Sequence, residues 1–119
     1  MQIDGSVNTR NEPVLEMDLG AFSVELLVDT GFDGGLILPS RVADQLHLTY
    51  VGLEEFNSVS GERIVAKAYS IEINWLGKRV RVSVVVSPRI NEALLGSQML
   101  RDCRLTIDYG YRTVTIVES

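Results

Sequence analysis

Leu26-Leu27-Val28-Asp29-Thr30-Gly31-Phe32 decides how this chain of 119 residues is read. The run leading into it, Phe22-Ser23-Val24-Glu25-Leu26, alternates apolar and polar side chains as a half-buried strand does, and then Leu26, Leu27 and Val28 are apolar in succession. A strand that loses its polar face passes into the interior. Asp29 is therefore a carboxylate delivered at the end of a buried strand. Phe32-Asp33-Gly34-Gly35 follows, and its glycines let the backbone turn away freely.

Upstream, residues 3–7 and 14–19 alternate on either side of Thr9-Arg10-Asn11-Glu12-Pro13, a cluster of turn formers that predicts a hairpin. Downstream, Leu36-Ile37-Leu38 reads as another apolar strand. Pro39-Ser40 then opens a helix expected to end near His47, with Ser40 as its N-cap and Val42, Ala43 and Leu46 on one face. Beyond Gly52, residues 54–59 and 62–69 form two extended arms around Ser60-Gly61, and polar side chains on both faces leave this hairpin only half anchored to a core. Residues 70–75 and 79–84 alternate around Leu76-Gly77-Lys78, which puts Ile71, Ile73 and Trp75 on one face with Val80, Val82 and Val84. Pro88 stops that strand. Ala93-Leu94-Leu95-Gly96 leads into a short helical stretch over 97–102 with Ser97 in the cap position. The chain closes with arms 104–108 and 112–117 around the turn Asp108-Tyr109-Gly110-Tyr111.

Composition bounds the rest. The length suits one domain over residues 1–119. Val and Ile together number 23 against 5 Ala, a balance that favours strands, so a mostly β domain is expected. Eleven Lys and Arg against sixteen Asp and Glu give a net charge of −5, which supplies no electrostatic reason to approach nucleic acid or an anionic membrane. No apolar run approaches the roughly 20 residues of a membrane span, and Met1-Gln2-Ile3-Asp4-Gly5-Ser6 has neither a basic nor an apolar leader region. A soluble, cytoplasmic protein is the expectation. Cys103 is the one cysteine and reads as an inert thiol before an apolar strand. His47 is the one histidine, so no metal or triad partner of its own kind exists for it. Arg79, Arg81, Arg89, Arg101 and Arg104 read as the solvated face of a sheet rather than a nucleic-acid patch.

The order of these parts resembles the retropepsin-like aspartic proteases, the single-lobed group that includes the retroviral enzymes. The resemblance rests on Leu27-Val28-Asp29-Thr30-Gly31-Phe32, the Pro39-initiated helix, the flap-like hairpin around Ser60-Gly61, and Ala93-Leu94-Leu95-Gly96 leading into Leu105-Thr106-Ile107-Asp108-Tyr109. It implies an all-β fold, a closed β-barrel of the acid-protease type with one or two short helices, and no cofactor or metal. It also implies an aspartic-type endopeptidase. Two carboxylates are needed for such chemistry, one ionised to take a proton from water and one protonated to polarise the scissile carbonyl. The chain carries one Asp-Thr-Gly, so the second carboxylate has to come from another copy, and a homodimer with Asp29 of each protomer on the two-fold axis is expected.

By the same resemblance Thr30 bonds across that axis and Gly31 admits the substrate backbone. Asp33 accepts peptide N–H groups, and the tip Val59-Ser60-Gly61-Glu62 is the flap. Phe32, Leu36 and Ile37 are candidate walls of the pocket. A peptide or protein substrate would bind extended, as an added strand. Two positions depart from the family pattern: Gln98 stands where many relatives have Asp or Asn, and the flap tip has the single glycine Gly61. The same residues also fit a catalytically silent member acting as a dimeric peptide-binding or interaction module.

Overall fold

The computed structural model describes residues 1–20, 22–57 and 60–119, the side chain of Asn57 aside. Its strands are β1 (Gln2–Val7), β2 (Pro13–Asp18), β3 (Ser23–Val28), β4 (Leu36–Pro39), β5 (Thr49–Asn57), β6 (Arg63–Trp75), β7 (Lys78–Ser87), β8 (Leu94–Leu95), β9 (Cys103–Asp108) and β10 (Thr113–Glu118). One four-residue helix, α1 (Ser40–Ala43), and one 3₁₀ turn, Ser97–Leu100, complete it, so the nearly all-β expectation holds.

The strands join into one ladder in the order β5-β6-β7-β4-β8-β3-β2-β1-β10-β9. Its two ends, β5 and β9, are not hydrogen-bonded to each other in that order, and the sheet curls over itself through side-chain packing instead. Leu15 and Met17 of β2 and Ile116 of β10 share one core with Ile73 and Trp75 of β6 and Val84 of β7. These strands lie toward opposite ends of the ladder. Leu26, Leu36, Leu95 and Ile116, all fully buried, sit where the curled halves meet.

Several local expectations meet the structure directly. In the β6–β7 hairpin Ile71 faces Val82 and Ile73 faces Val80. In the closing hairpin Leu105 pairs with Ile116. Others are corrected. The helix expected to reach His47 stops at Ala43, and its N-cap is Pro39 with no side-chain cap bond, not Ser40. After Asp44 the backbone tightens to bonds spanning three residues, Gln45 to Val42 and Leu46 to Ala43. Leu46 and Leu48 then turn into the core, and β5 begins at Thr49. Burial of those two leucines outweighs the propensity to continue.

Ser97 likewise does not cap; Gly96 occupies that position, and the following turn ends at Leu100. The arm read over 62–69 and the strand read over 70–75 are a single 13-residue strand, β6, because no glycine or proline interrupts them. The first hairpin pairs at two positions, Ser6 with Val14 and Val7 with Pro13, while the opposite edge of β1 pairs with β10 over Gln2 to Ser6. Of the hairpin tip, Ser58 and Val59 lie outside the described residues.

Candidate active site

The loop that carries Asp29 is suspended between two strands that a third strand holds apart. The two-residue β8 runs parallel to the end of β3, Val28 facing Leu95, and antiparallel to the start of β4, Leu36 facing Leu95. With sheet neighbours roughly 4.8 Å apart, β3 and β4 are separated by about 10 Å, and residues 29–35 must bridge that gap. The expected apolar pair Leu94-Leu95 is this two-residue strand.

Four backbone bonds sew the loop to the end of β8 and the segment after it. Asp29 N–H donates to the Leu95 carbonyl at 2.9 Å and Gly96 N–H to Gly35 at 2.7 Å. Ser97 N–H donates to Phe32 at 2.8 Å and Gln98 N–H to Gly34 at 3.1 Å. The loop also closes on itself, Phe32 N–H donating to the Asp29 carbonyl at 3.2 Å. A loop whose polar backbone is paired in this way has few conformations open to it, and the half-buried Asp29 carboxylate is held in one place.

The carboxylate itself accepts the Gly31 N–H on Oδ1 at 3.0 Å. A Cβ at position 31 would lie 3.2 Å from that oxygen, tighter than ordinary contact, which is a local reason for glycine there. Thr30, Gly31 and Asp33 are exposed around Asp29. Gly34, Gly35 and Gly96 are demanded by crowding: a Cβ on each would fall within 3.0 Å of another group, the Phe32 ring for Gly34, the Ser83 carbonyl for Gly35, and both the Gly34 carbonyl and Phe32 for Gly96.

Phe32 turns inward. It is 9% exposed and forms a second apolar cluster with Ile37, Ala66 and Val85, against which Phe56, Ile90 and Leu94 pack. The Phe32 and Phe56 rings meet edge to face, centroids 6.0 Å apart. Leu36 is fully enclosed in the main core and has no surface to offer a ligand, which corrects its expected place on a pocket wall. Ile37, 2% exposed, sits in the second cluster and offers little more.

The hairpin of β5 and β6 thus stands on the same cluster as the Asp29 loop, through Phe56 and Ala66. Ser60 and Gly61 are exposed at its tip, Gly61 at φ +83°, a conformation that favours glycine. Arg41 reaches the Asn91 carbonyl at 3.3 Å and ties α1 to the segment entering β8. A groove of about 750 Å³ runs beside the hairpin, lined in part by Leu53, Val65, Tyr69, Pro88 and Arg89, and another of about 550 Å³ lies near His47, Glu72, Arg79 and Arg81. Asp29 lines neither. Arg79 and Arg81 share Glu72 at 3.6 and 3.1 Å on the solvent face, as expected for a solvated sheet.

What sequence reasoning missed is Phe56. Nothing in its own neighbourhood marks it, because its partner is 24 positions away on another element. The signal available was indirect: Phe32 follows the triplet and stands two residues before Gly34, whose missing side chain the ring replaces.

The pattern of the retroviral aspartyl protease family matches residues 9–108, and no curated protein matches the chain. Among solved structures, the chain is similar to a retropepsin-like aspartic protease from Rickettsia conorii, at 19% identity and a TM-score of 0.66 over 98% of this chain and 90% of that one. It is also similar to EIAV protease in complex with the inhibitor HBY-793, at 20% identity and a TM-score of 0.65 over 80% and 90%. A third likeness is to the solution structure of simian foamy virus protease, at 16% identity and a TM-score of 0.53 over 74% and 91%. At these identities the likeness is one of fold.

Proposed function

Because the chain belongs to the retroviral aspartyl protease family, we propose that it is an aspartic-type endopeptidase whose catalytic pair is Asp29 from each of two protomers. The observation that carries the reading is the Asp29-Thr30-Gly31 turn, sewn by its backbone to the Leu95-Gly96-Ser97-Gln98 segment with its carboxylate half-buried. Only one such triplet exists in the chain, so one protomer holds half of a two-carboxylate site.

Two carboxylates brought to about 3 Å cannot both ionise, aspartic proteases being the standing example of this effect. The pair then holds one proton between them and titrates as a unit. The ionised member takes a proton from water as the water oxygen attacks the scissile carbonyl carbon, while the protonated member donates to the carbonyl oxygen. Proton transfer to the amide nitrogen lets the C–N bond break and releases an amine and a carboxylic acid. Thr30 would bond across the two-fold axis and Gly31 would leave room for the peptide backbone. Asp33 would accept substrate N–H groups, with Ser60 and Gly61 closing from above, while Phe32, expected to touch substrate, is buried and would support the Asp29 loop from beneath. The substrate is a peptide or protein segment in extended form.

The test is incubation of wild type and Asp29→Asn with a mixed peptide library between about pH 4 and 8, reading new termini by mass spectrometry. New termini with wild type alone are expected. Cleavage that persists in Asp29→Asn would overturn the mechanism, and capture of peptides by wild type without new termini would point to a binding module instead.

A further inference from the structure

The Phe32 ring occupies the space of two missing side chains. A Cβ on Gly34 would fall within 3.0 Å of its Cζ and Cε1, and a Cβ on Gly96 within 3.0 Å of its Cδ2. Gly34 belongs to the Asp29 loop and Gly96 to the segment after β8, so one ring is pressed between the two strips of backbone that together hold Asp29. The Phe32 backbone joins the same strips, its N–H bonded to Asp29 and its carbonyl to Ser97. The same ring packs edge to face with Phe56, which pairs with Ile64 toward the tip end of the described β5–β6 ladder. Among the described residues, Asn57 and Arg63 pair beyond it toward the tip. The contact therefore sits at the base of the tip, where a small change in seating is carried outward by the remaining hairpin.

We propose that Phe32 and Phe56 form a seat that sets the height of the hairpin over the Asp29 loop, making Phe56 a positioning residue that couples flap closure to the catalytic turn. Among the described side chains of the two arms, Leu53 and Val65 are more than half exposed and the ion pair of Arg63 with Glu55, at 3.6 Å, is solvated, whereas Phe56 and Ala66 turn to the Phe32 cluster. An edge-to-face aromatic pair contributes on the order of a 2- to 10-fold shift in a two-state equilibrium beyond its buried area, so its loss changes how often the hairpin is seated without unfolding the sheet. The seat stands on the geometry alone; its consequence for turnover rests on the protease reading.

Phe56→Ala, Phe56→Leu and Phe56→Tyr in the full chain test this, since Phe32 variants endanger the fold. Amide hydrogen exchange of residues 53–57 and 63–66 is compared with that of β2 and β3 as an internal reference. Exchange in the hairpin arms is expected to rise roughly 3- to 10-fold in Phe56→Ala and less in Phe56→Leu, with Phe56→Tyr at the wild-type rate and β2 and β3 unmoved. With a cleavable peptide, KM should rise in Phe56→Ala while kcat changes little. Unchanged arm exchange in Phe56→Ala, or a Phe56→Tyr variant as loose as Phe56→Ala, would overturn the seat. Exchange is read without substrate, so a protein that cleaves nothing would refute the protease reading and leave the seat to be judged on its own.

Discussion

At the scale of single residues the site is governed by what glycine permits. Gly96 is held where the Gly34 carbonyl and the Phe32 ring leave no room for a Cβ, and the close approach is to backbone, which yields little. Gly96→Ala should therefore cost at least about 1–3 kcal/mol of stability, seen as a Tm lowered by several degrees in thermal unfolding. A variant as stable as wild type would show that the Asp29 loop is looser than its bonding suggests. Cys103, expected as a buried thiol before a strand, is half-buried at the start of β9. Burial, and then the nearby charges of Glu118 and Asp102, raise its pKa, so the thiol is protonated near neutrality. Native protein at pH 7 should be alkylated more slowly than protein unfolded in urea. The sign for stability follows: the contribution of this group is fully present below the unfolded-state value of about 8.5 and is lost as pH rises through the higher folded-state value. Glycine spacing made Gly31, Gly34 and Gly96 visible in the chain, but not the reason for each. Leu36 shows the opposite limit, since apolar character alone does not say whether a residue faces the core or the cleft.

At the scale of elements, strands were legible and helix ends were not. Period-two alternation in β6 and β7 predicts which faces meet because the hairpin turn is local and fixes the register. The helix after Pro39 was legible only in its start, because its length is decided by Leu46 and Leu48 entering a core built from distant strands. A measurable consequence concerns Ser40. An N-cap serine contributes about 1 kcal/mol, whereas Ser40 lies inside the first turn with no cap bond, so Ser40→Ala should change the unfolding free energy by less than about 0.5 kcal/mol. A loss near 1 kcal/mol in denaturant titration would restore the cap. On the solvent face Glu72 receives two arginines, yet both partners are well exposed. Glu72→Gln should cost no more than about 1 kcal/mol and leave the β6–β7 hairpin intact.

At the scale of the whole molecule the decisive number is the single Asp-Thr-Gly. If two protomers share the site, mixing wild type with an equal amount of Asp29→Asn under exchange should leave about one quarter of the dimers with both carboxylates. Peptide cleavage would then fall to roughly half that of the same wild type alone, and a mixture retaining full activity would argue for a site complete in one chain. Pairing also doubles the net charge from −5 to −10. Raised salt, which screens this repulsion, should favour the dimer in sedimentation at a given concentration.

The chain by itself determined the β-rich class, the buried approach to Asp29 and the presence of a single Asp-Thr-Gly, because these depend on local alternation, on a triplet and on a count. Only the tertiary structure decided that β1 is shared between β2 and β10, that β8 props the Asp29 loop open, and that Phe32 meets Phe56. Each of these is a contact between segments far apart in sequence, chosen by how the curled sheet fills its core rather than by any residue's own preference. Local pattern specifies which side chains must be covered; the fold specifies what covers them.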